Sequence, residues 1–154
     1  MEVWANPIPV GVVLLPVIDG GRTGLLVLRR GIEPRKGFLA LVGGFLEEHE
    51  TWQQGSAREM REEVGVTIDP ATLALFDAVS TEPRPNRILM FSTAPSVPRE
   101  ALAAFVPSHE STERGVVFGP DGLDEVCAFP LHAKAARRWF ATQNITGPHD
   151  FTAM

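Results

Sequence analysis

The chain is nearly without cysteine: Cys127 is the only one in 154 residues. That excludes an intrachain disulfide and any cysteine-based zinc cluster, and it points to a reducing, cytoplasmic setting. A long uninterrupted apolar run is also missing. The start, MEVWANPIPVGVVLLPVIDGG, has no basic residues ahead of its apolar part and is broken by Pro7, Pro9 and Pro16. It reads as a core strand, not as a signal peptide or a membrane span. An excess of positive charge is lacking too. The formal net charge of −5 leaves no general attraction to nucleic acid or to an anionic membrane. An anionic substrate therefore needs a site that is locally positive or loaded with metal. Repeats and low-complexity blocks are absent, and 44% hydrophobic with 21% charged residues is the composition of one ordinary globular domain.

What is present begins with two apolar runs, Val10 to Ile18 and Leu25 to Leu28, separated by the turn signal Asp19-Gly20-Gly21. Together they predict a hairpin. A third short run, Phe38 to Val42, leads into Gly43-Gly44. From Thr51 to Val64 no proline intervenes, and Trp52, Ser56, Met60 and Val64 recur at every fourth position, so the spacing predicts a helix with one buried face. Gly65 supplies its stop. Leu73 to Val79 and Ile88 to Phe91 read as strands on either side of the loop TEPRPN. Pro98 to Phe105 reads as a short helix with proline at its first position, and Val116 to Phe118 as the last strand. Leu131 to Thr142 reads as the terminal helix. Residues 144–154 carry no pattern and read as a flexible tail after a domain spanning 1–143. Strands and helices do not alternate regularly, which predicts an α/β fold with a mixed sheet and helices on both faces.

The chemistry concentrates in REMREEVG. Glu59, Glu62 and Glu63 stand three and four residues apart, on one face of the predicted helix. Read alone, three such residues are a solvated acidic face. Their setting argues for more. Gly44 precedes Glu50 by six positions, Arg58 abuts Glu59, and Gly65 closes the helix. Like charges held together repel, and divalent cations turn that repulsion into attraction. Hard ions such as Mg²⁺ prefer oxygen ligands of this kind.

The string Gly44-x5-Glu50-x7-Arg58-Glu59-Met60-x-Glu62-Glu63-x-Gly65-Val66 resembles the signature box of the Nudix hydrolases without a mismatch. The resemblance implies an α/β/α sandwich around a central mixed sheet and a pyrophosphatase dependent on Mg²⁺ or Mn²⁺. It implies metal ligation by Glu59 and Glu63, metal ligation or water activation by Glu62, and a further ligand from the main chain of Gly43. Glu50 and Arg58 are implied to pair and brace the loop and helix, while Gly44 and Gly65 serve the backbone. Two departures stand out: Val42 occupies the place of a usual proline, and His49 the place of a usual glycine just before Glu50. Histidine tolerates an unusual backbone angle less easily than glycine.

Outside the box, RRGIEPRKGFLALVGGF resembles the lead-in of dinucleotide pyrophosphatases acting on ADP-ribose, FAD or NADH. Ala136-Arg137-Arg138 resembles the final helix of the NADH branch, although STEPRPN stands where that branch carries Ser-Gln-Pro-Trp-Pro-Phe-Pro. By the same likeness Glu110 joins the metal site from a loop, the competing reading being a solvated acidic loop. Glu62, Glu63 and Glu110 are then the candidate proton acceptors. The basic residues Arg29, Arg30 and Arg35, together with Arg84 and with Ala136, are the candidates for substrate contact. The expected substrate is a nucleoside diphosphate linked to another group. Pool-cleaning triphosphate hydrolysis and non-catalytic nucleotide sensing are the alternatives. Relatives that pair suggest a homodimer.

Overall fold

The structure, a computed structural model, describes residues 5–81 and 86–154. The long apolar run at the start divides at Leu15 into β1 (Ile8–Leu14) and β2 (Pro16–Asp19), which lie in different sheets. Proline is tolerated at Pro16 because it is the first residue of its strand. β2 turns through Gly20 and Gly21 into β3 (Arg22–Arg30), the predicted hairpin. β4 (Leu39–Ala40) pairs with β3, and β5 (Val42–Phe45) pairs antiparallel with β1. After helix α1 (Trp52–Val64) come β6 (Ala74–Ser80), β7 (Arg87–Thr93) and the short β8 (Val97–Pro98). The chain ends with β9 (Ser111–Phe118), α2 (Leu123–Val126), α3 (Pro130–Thr142) and β10 (Asp150–Ala153).

One sheet has the order β5-β1-β7-β6 and the other β10-β9-β3-β2-β8, with β4 beside β3. Both are mixed: β1 with β7 and β2 with β8 run parallel, and the remaining pairs run antiparallel. The strands are apolar on both faces because two cores need them. Val12, Leu14, Leu25, Val27 and Val117 pack with Ala133, Trp139 and Phe140 of α3. Their sequence neighbours Val13, Leu15, Leu26, Leu28 and Val116 pack with Met60 and Val64 of α1. The period of two thus sends alternate residues to opposite helical layers, and each fully buried Leu or Val contributes roughly 1.5–3 kcal/mol. No helix among the described residues is long and apolar enough to cross a membrane.

Helix α1 starts and stops on local signals. Thr51 Oγ1 accepts the Gln54 N–H at 3.1 Å, and the Gln54 side chain accepts the Thr51 N–H at 2.9 Å. This reciprocal box satisfies two donors that the first turn would otherwise leave open. Gly65 closes the helix in the left-handed region at φ 69°.

Three segments differ from the sequence reading. Pro98 to Phe105 is not a helix. Val97 and Pro98 pair with Val17 and Ile18 instead, and only a single 3₁₀ turn, Arg99–Ala101, follows before the chain is extended again at Leu102. The strand expected at Val116 begins at Ser111, its first half hidden in the polar letters STER because Arg114 is a buried residue at 2% exposure. Nor is β9 the last strand. The segment 144–154, read as a flexible tail, supplies β10, whose residues Asp150 to Ala153 pair antiparallel with Phe118 to Gly115.

Candidate active site

The site assembles where β5, α1, the end of β3 and the start of α3 meet. The side chain of Ser56 on α1 occupies the space that a Cβ on Gly11 would take, and Gly43 similarly lies against the Gly11 carbonyl. Gly11 thus lets α1 press on β1, and Gly43 lets β5 close on β1. At Gly44 the need is more specific, because a Cβ there would collide with the Glu59 carboxylate. The missing side chain makes room for that acid, whose own side chain is 13% exposed.

Arg58 anchors the loop that leads into the helix. Its Nη2 donates to Glu50 Oε1 at 2.7 Å and its Nε to Glu50 Oε2 at 3.1 Å, a two-point grip. Nη2 also donates to the Phe45 carbonyl at 3.1 Å, and Nη1 to Glu59 at 3.0 Å and Glu62 at 3.1 Å. Glu50 Oε1 in turn accepts the Glu47 N–H at 2.7 Å. The pairing holds the Glu50 carboxyl below the usual carboxylate range, chiefly through the Arg58 hydrogen bond, and raises Arg58. At His49 the backbone φ is +72°, so the loop keeps the left-handed turn that glycine adopts easily and imposes it on a histidine.

A cavity of about 70 Å³ lies beside this brace, lined by Arg30, Gly43, Glu63, Glu110, Phe129 and His132 among others. Burial pushes the Glu63 carboxyl up to about 7, helped by the negative charges of Glu59 and Glu110 and opposed by Arg30. Glu59 is raised as well, mainly by burial. Among the described residues neither Glu63 nor Glu110 has an ion-pair partner, whereas Glu59 and Glu62 share Arg58. Glu62 is the outlying acid, its side chain 55% exposed. Among the described residues no three His, Cys, Asp or Glu stand close enough together to hold a metal ion. In kind, however, the donors fit a hard divalent cation: they are carboxylate oxygens, Glu59 and Glu63 partly withdrawn from water, Glu63 and Glu110 without an ion-pair partner among the described residues.

The remaining candidates separate. Arg30 lines the cavity, its Nε donating to the Pro34 carbonyl at 2.8 Å and its guanidinium 5.0 Å from the Phe129 ring centre. Arg29, its neighbour on the strand, points the other way, tied to Glu113 at 2.8 Å and to the Gly37 carbonyl at 2.9 Å. Arg35 lies over Phe38 at 5.5 Å and does not line the cavity. Ala136 is 5% exposed, packed in the α3 core, and does not line the cavity. Arg84 lies outside the described residues.

Two features escaped the sequence reading. His132, in the first turn of α3, is 8% exposed and lines the cavity. Its signal was a lone histidine on the stripe that continues through Ala135, Ala136 and Trp139, all buried. Phe45 is 54% exposed on β5, two residues past Gly43 and so on the same face, with the Arg87 guanidinium 5.2 Å from its ring. Its signal was a large aromatic directly after the glycine pair.

A family model described as NUDIX domain matches residues 7–146, and the chain belongs to that family of pyrophosphohydrolases. Among solved structures it resembles a NUDIX hydrolase from Nitrosomonas europaea at 23% identity and a TM-score of 0.71, covering 92% of this chain and 74% of that one. It also resembles a MutT/nudix family protein from Enterococcus faecalis, at 18% identity and TM-score 0.66 over 77% of this chain and 47% of the other. A third is a bifunctional NMN adenylyltransferase/ADP ribose pyrophosphatase from Francisella tularensis, complexed with AMP and a manganese ion. There the identity is 18% and the TM-score 0.67, over 92% of this chain and 43% of that one. At these identities the likeness is one of fold, and the chain spans less than half the length of the Enterococcus and Francisella chains. No curated protein matches the sequence.

Proposed function

We propose that the protein hydrolyses the pyrophosphate of a nucleoside diphosphate linked to a second group, of the ADP-ribose, FAD or NADH type, with Mg²⁺ or Mn²⁺ as cofactor. The observation that carries this reading is the cavity in which desolvated Glu63 and unpaired Glu110 share walls with Arg30. Glu59, Glu63 and Glu110, with the main chain at Gly43, are the residues that would hold the cation. When bound, it neutralises phosphate charge and makes water a better nucleophile at neutral pH.

The protein's own groups supply the rest. Glu63 or Glu110, the cavity's acids, would take the proton from water attacking phosphorus. Arg30, fixed through its Nε to Pro34, keeps its two terminal nitrogens for a phosphate oxygen. Arg58 keeps the loop and α1 in register, so Glu59 arrives preorganised beside Gly44. The exposed Phe45 ring is a platform on which the flat base of the nucleoside can stack, outside a cavity too small to enclose it. That the Francisella chain was crystallised with AMP and manganese supports the choice of ligand class.

The decisive experiment offers ADP-ribose, FAD, NADH, dinucleoside polyphosphates and nucleoside triphosphates with Mg²⁺ and identifies the products. Mononucleotide products from the linked diphosphates are expected. Pyrophosphate released from triphosphates alone would replace this reading with pool cleaning, and tight binding without cleavage would replace it with sensing. In the same assay Glu63→Gln lowers turnover by roughly a hundredfold or more while the protein stays folded.

A further inference from the structure

The cavity holds a polar side chain that the carboxylate chemistry does not use. His132 sits at the start of α3, between two rings: Phe129 at 5.0 Å and Phe91 at 5.9 Å, both edge-to-face. Its Nδ1 accepts the Leu41 N–H at 3.2 Å. A ring nitrogen that accepts carries no proton, so in the neutral imidazole the proton is on Nε2. Burial, reinforced by the positive charge of Arg30, depresses this histidine to about 4, which keeps it neutral at physiological pH. Among the described residues Nε2 has no protein hydrogen-bond partner, and it is not one of the polar atoms sealed in the interior: the residue is 8% exposed and lines the cavity with Arg30, Glu63 and Glu110. An accessible N–H with no protein acceptor is free to donate to water or to a ligand oxygen.

We propose that the Nε2–H of His132 is a fixed donor to an oxygen of the bound diphosphate, working beside Arg30 on the same anion. The ligand class is taken from the hydrolase reading above, and the donor itself from the cavity. Phe129 lies against both cationic and imidazole groups, holding the two donors at a set spacing. Leu41, which fixes the tautomer, belongs to the short link between β4 and β5 that continues directly into Gly43. The link that leads into the glycine pair therefore also sets which imidazole nitrogen bears the proton. As a neutral donor, His132 can approach a phosphate oxygen without adding charge near the carboxylates.

Two substitutions divide the functional from the structural role of this ring. His132→Asn keeps an acceptor near the Nδ1 position for the Leu41 N–H and removes the reach into the cavity. His132→Gln keeps a donor near the Nε2 position and sacrifices the Leu41 contact. Binding of inorganic pyrophosphate and of ADP-ribose to the Mg²⁺-loaded protein is measured by calorimetry, separately from turnover. Asparagine is expected to weaken pyrophosphate binding by about tenfold, the effect of losing one hydrogen bond to a charged group, and glutamine to retain most of the affinity. Wild-type affinity in His132→Asn would overturn the proposal and leave the ring as a partner of Leu41 alone. In the ¹⁵N-labelled wild-type protein, long-range imidazole spectra should show Nε2 protonated without metal, and its proton resonance should shift when pyrophosphate is added with Mg²⁺. A resonance that does not move would overturn the donor role whatever the variants do. Failure to cleave any compound in the substrate panel, with these binding and spectral effects intact, would instead overturn the hydrolase reading.

Discussion

Two guanidinium groups are sunk into this protein, and their surroundings are opposites. Arg58 is gripped by carboxylates, Glu50 in two places and Glu59 and Glu62 by one shared nitrogen, and its affinity for its proton is raised. Arg114 meets no side-chain carboxylate among the described residues. Its Nε, Nη1 and Nη2 donate to main-chain oxygens of Met154 at 3.1 Å, Val64 at 2.9 Å and Ala103 at 2.7 Å, and burial lowers its affinity for the proton. The first arginine organises charge for a site. The second staples the last carbonyl of α1 to β10 and to the segment before β9, aided by the negative end of the helix dipole. The same side chain thus gathers carboxylates in one place and ties main-chain oxygens of three segments together in the other.

The comparison can be broken most forcefully at Arg114. Arg114→Met leaves the buried Val64 carbonyl and two partly buried main-chain oxygens without their donor, and a loss of about 2–4 kcal/mol in unfolding free energy is expected from chemical denaturation. Turnover per folded molecule should stay near the wild-type value. A drop in activity without a drop in stability would refute the division of labour. Arg58→Met should behave the other way. Stability falls by about 1–3 kcal/mol, while turnover falls at least tenfold, because Glu59 and the loop from Phe45 to Glu50 lose their common tether.

Acid titration sharpens the contrast. Glu50 is depressed in the folded protein, so its contribution is fully present above the unfolded carboxylate value of 4.5 and is lost as pH falls through the lower folded value. The stability gap between wild type and Arg58→Met should therefore narrow below pH 4.5, whereas the gap for Arg114→Met should not narrow for this cause. Equal narrowing in both would mean that Arg114 has an acidic partner. The smallest effect concerns the loop that Arg58 braces. His49→Gly relieves a left-handed residue at φ +72° and should stabilise by roughly 1 kcal/mol, read as a small rise in Tm.

How much of this was legible in the letters depends on the range of each interaction. Helix α1 could be read almost to the residue, because the proline-free stretch from Thr51, the four-residue apolar spacing and Gly65 all act within a few positions. The carboxylate cluster could be read for the same reason. β10 could not, since nothing in DFTA favours a strand until β9 offers its edge. The first half of β9 was obscured by Arg114, whose burial makes sense only once three distant main-chain oxygens surround it. Arg29 and Arg30 looked equivalent as neighbours, and the pleat sent one to Glu113 and the other to the cavity. His49 read as a departure, yet the fold holds it in the conformation its usual substitute would adopt.

The sequence by itself determined the helix, its caps, and the acids and arginine that line one of its faces, because a 3.6-residue period places side chains by local geometry alone. Only the tertiary structure decided which groups face those acids: Glu110 from a loop, Arg30 from a strand end and His132 from the last helix. Their meeting depends on contacts between segments 20 to 100 residues apart, a separation at which neighbouring letters exert no steric or hydrogen-bonding constraint on one another.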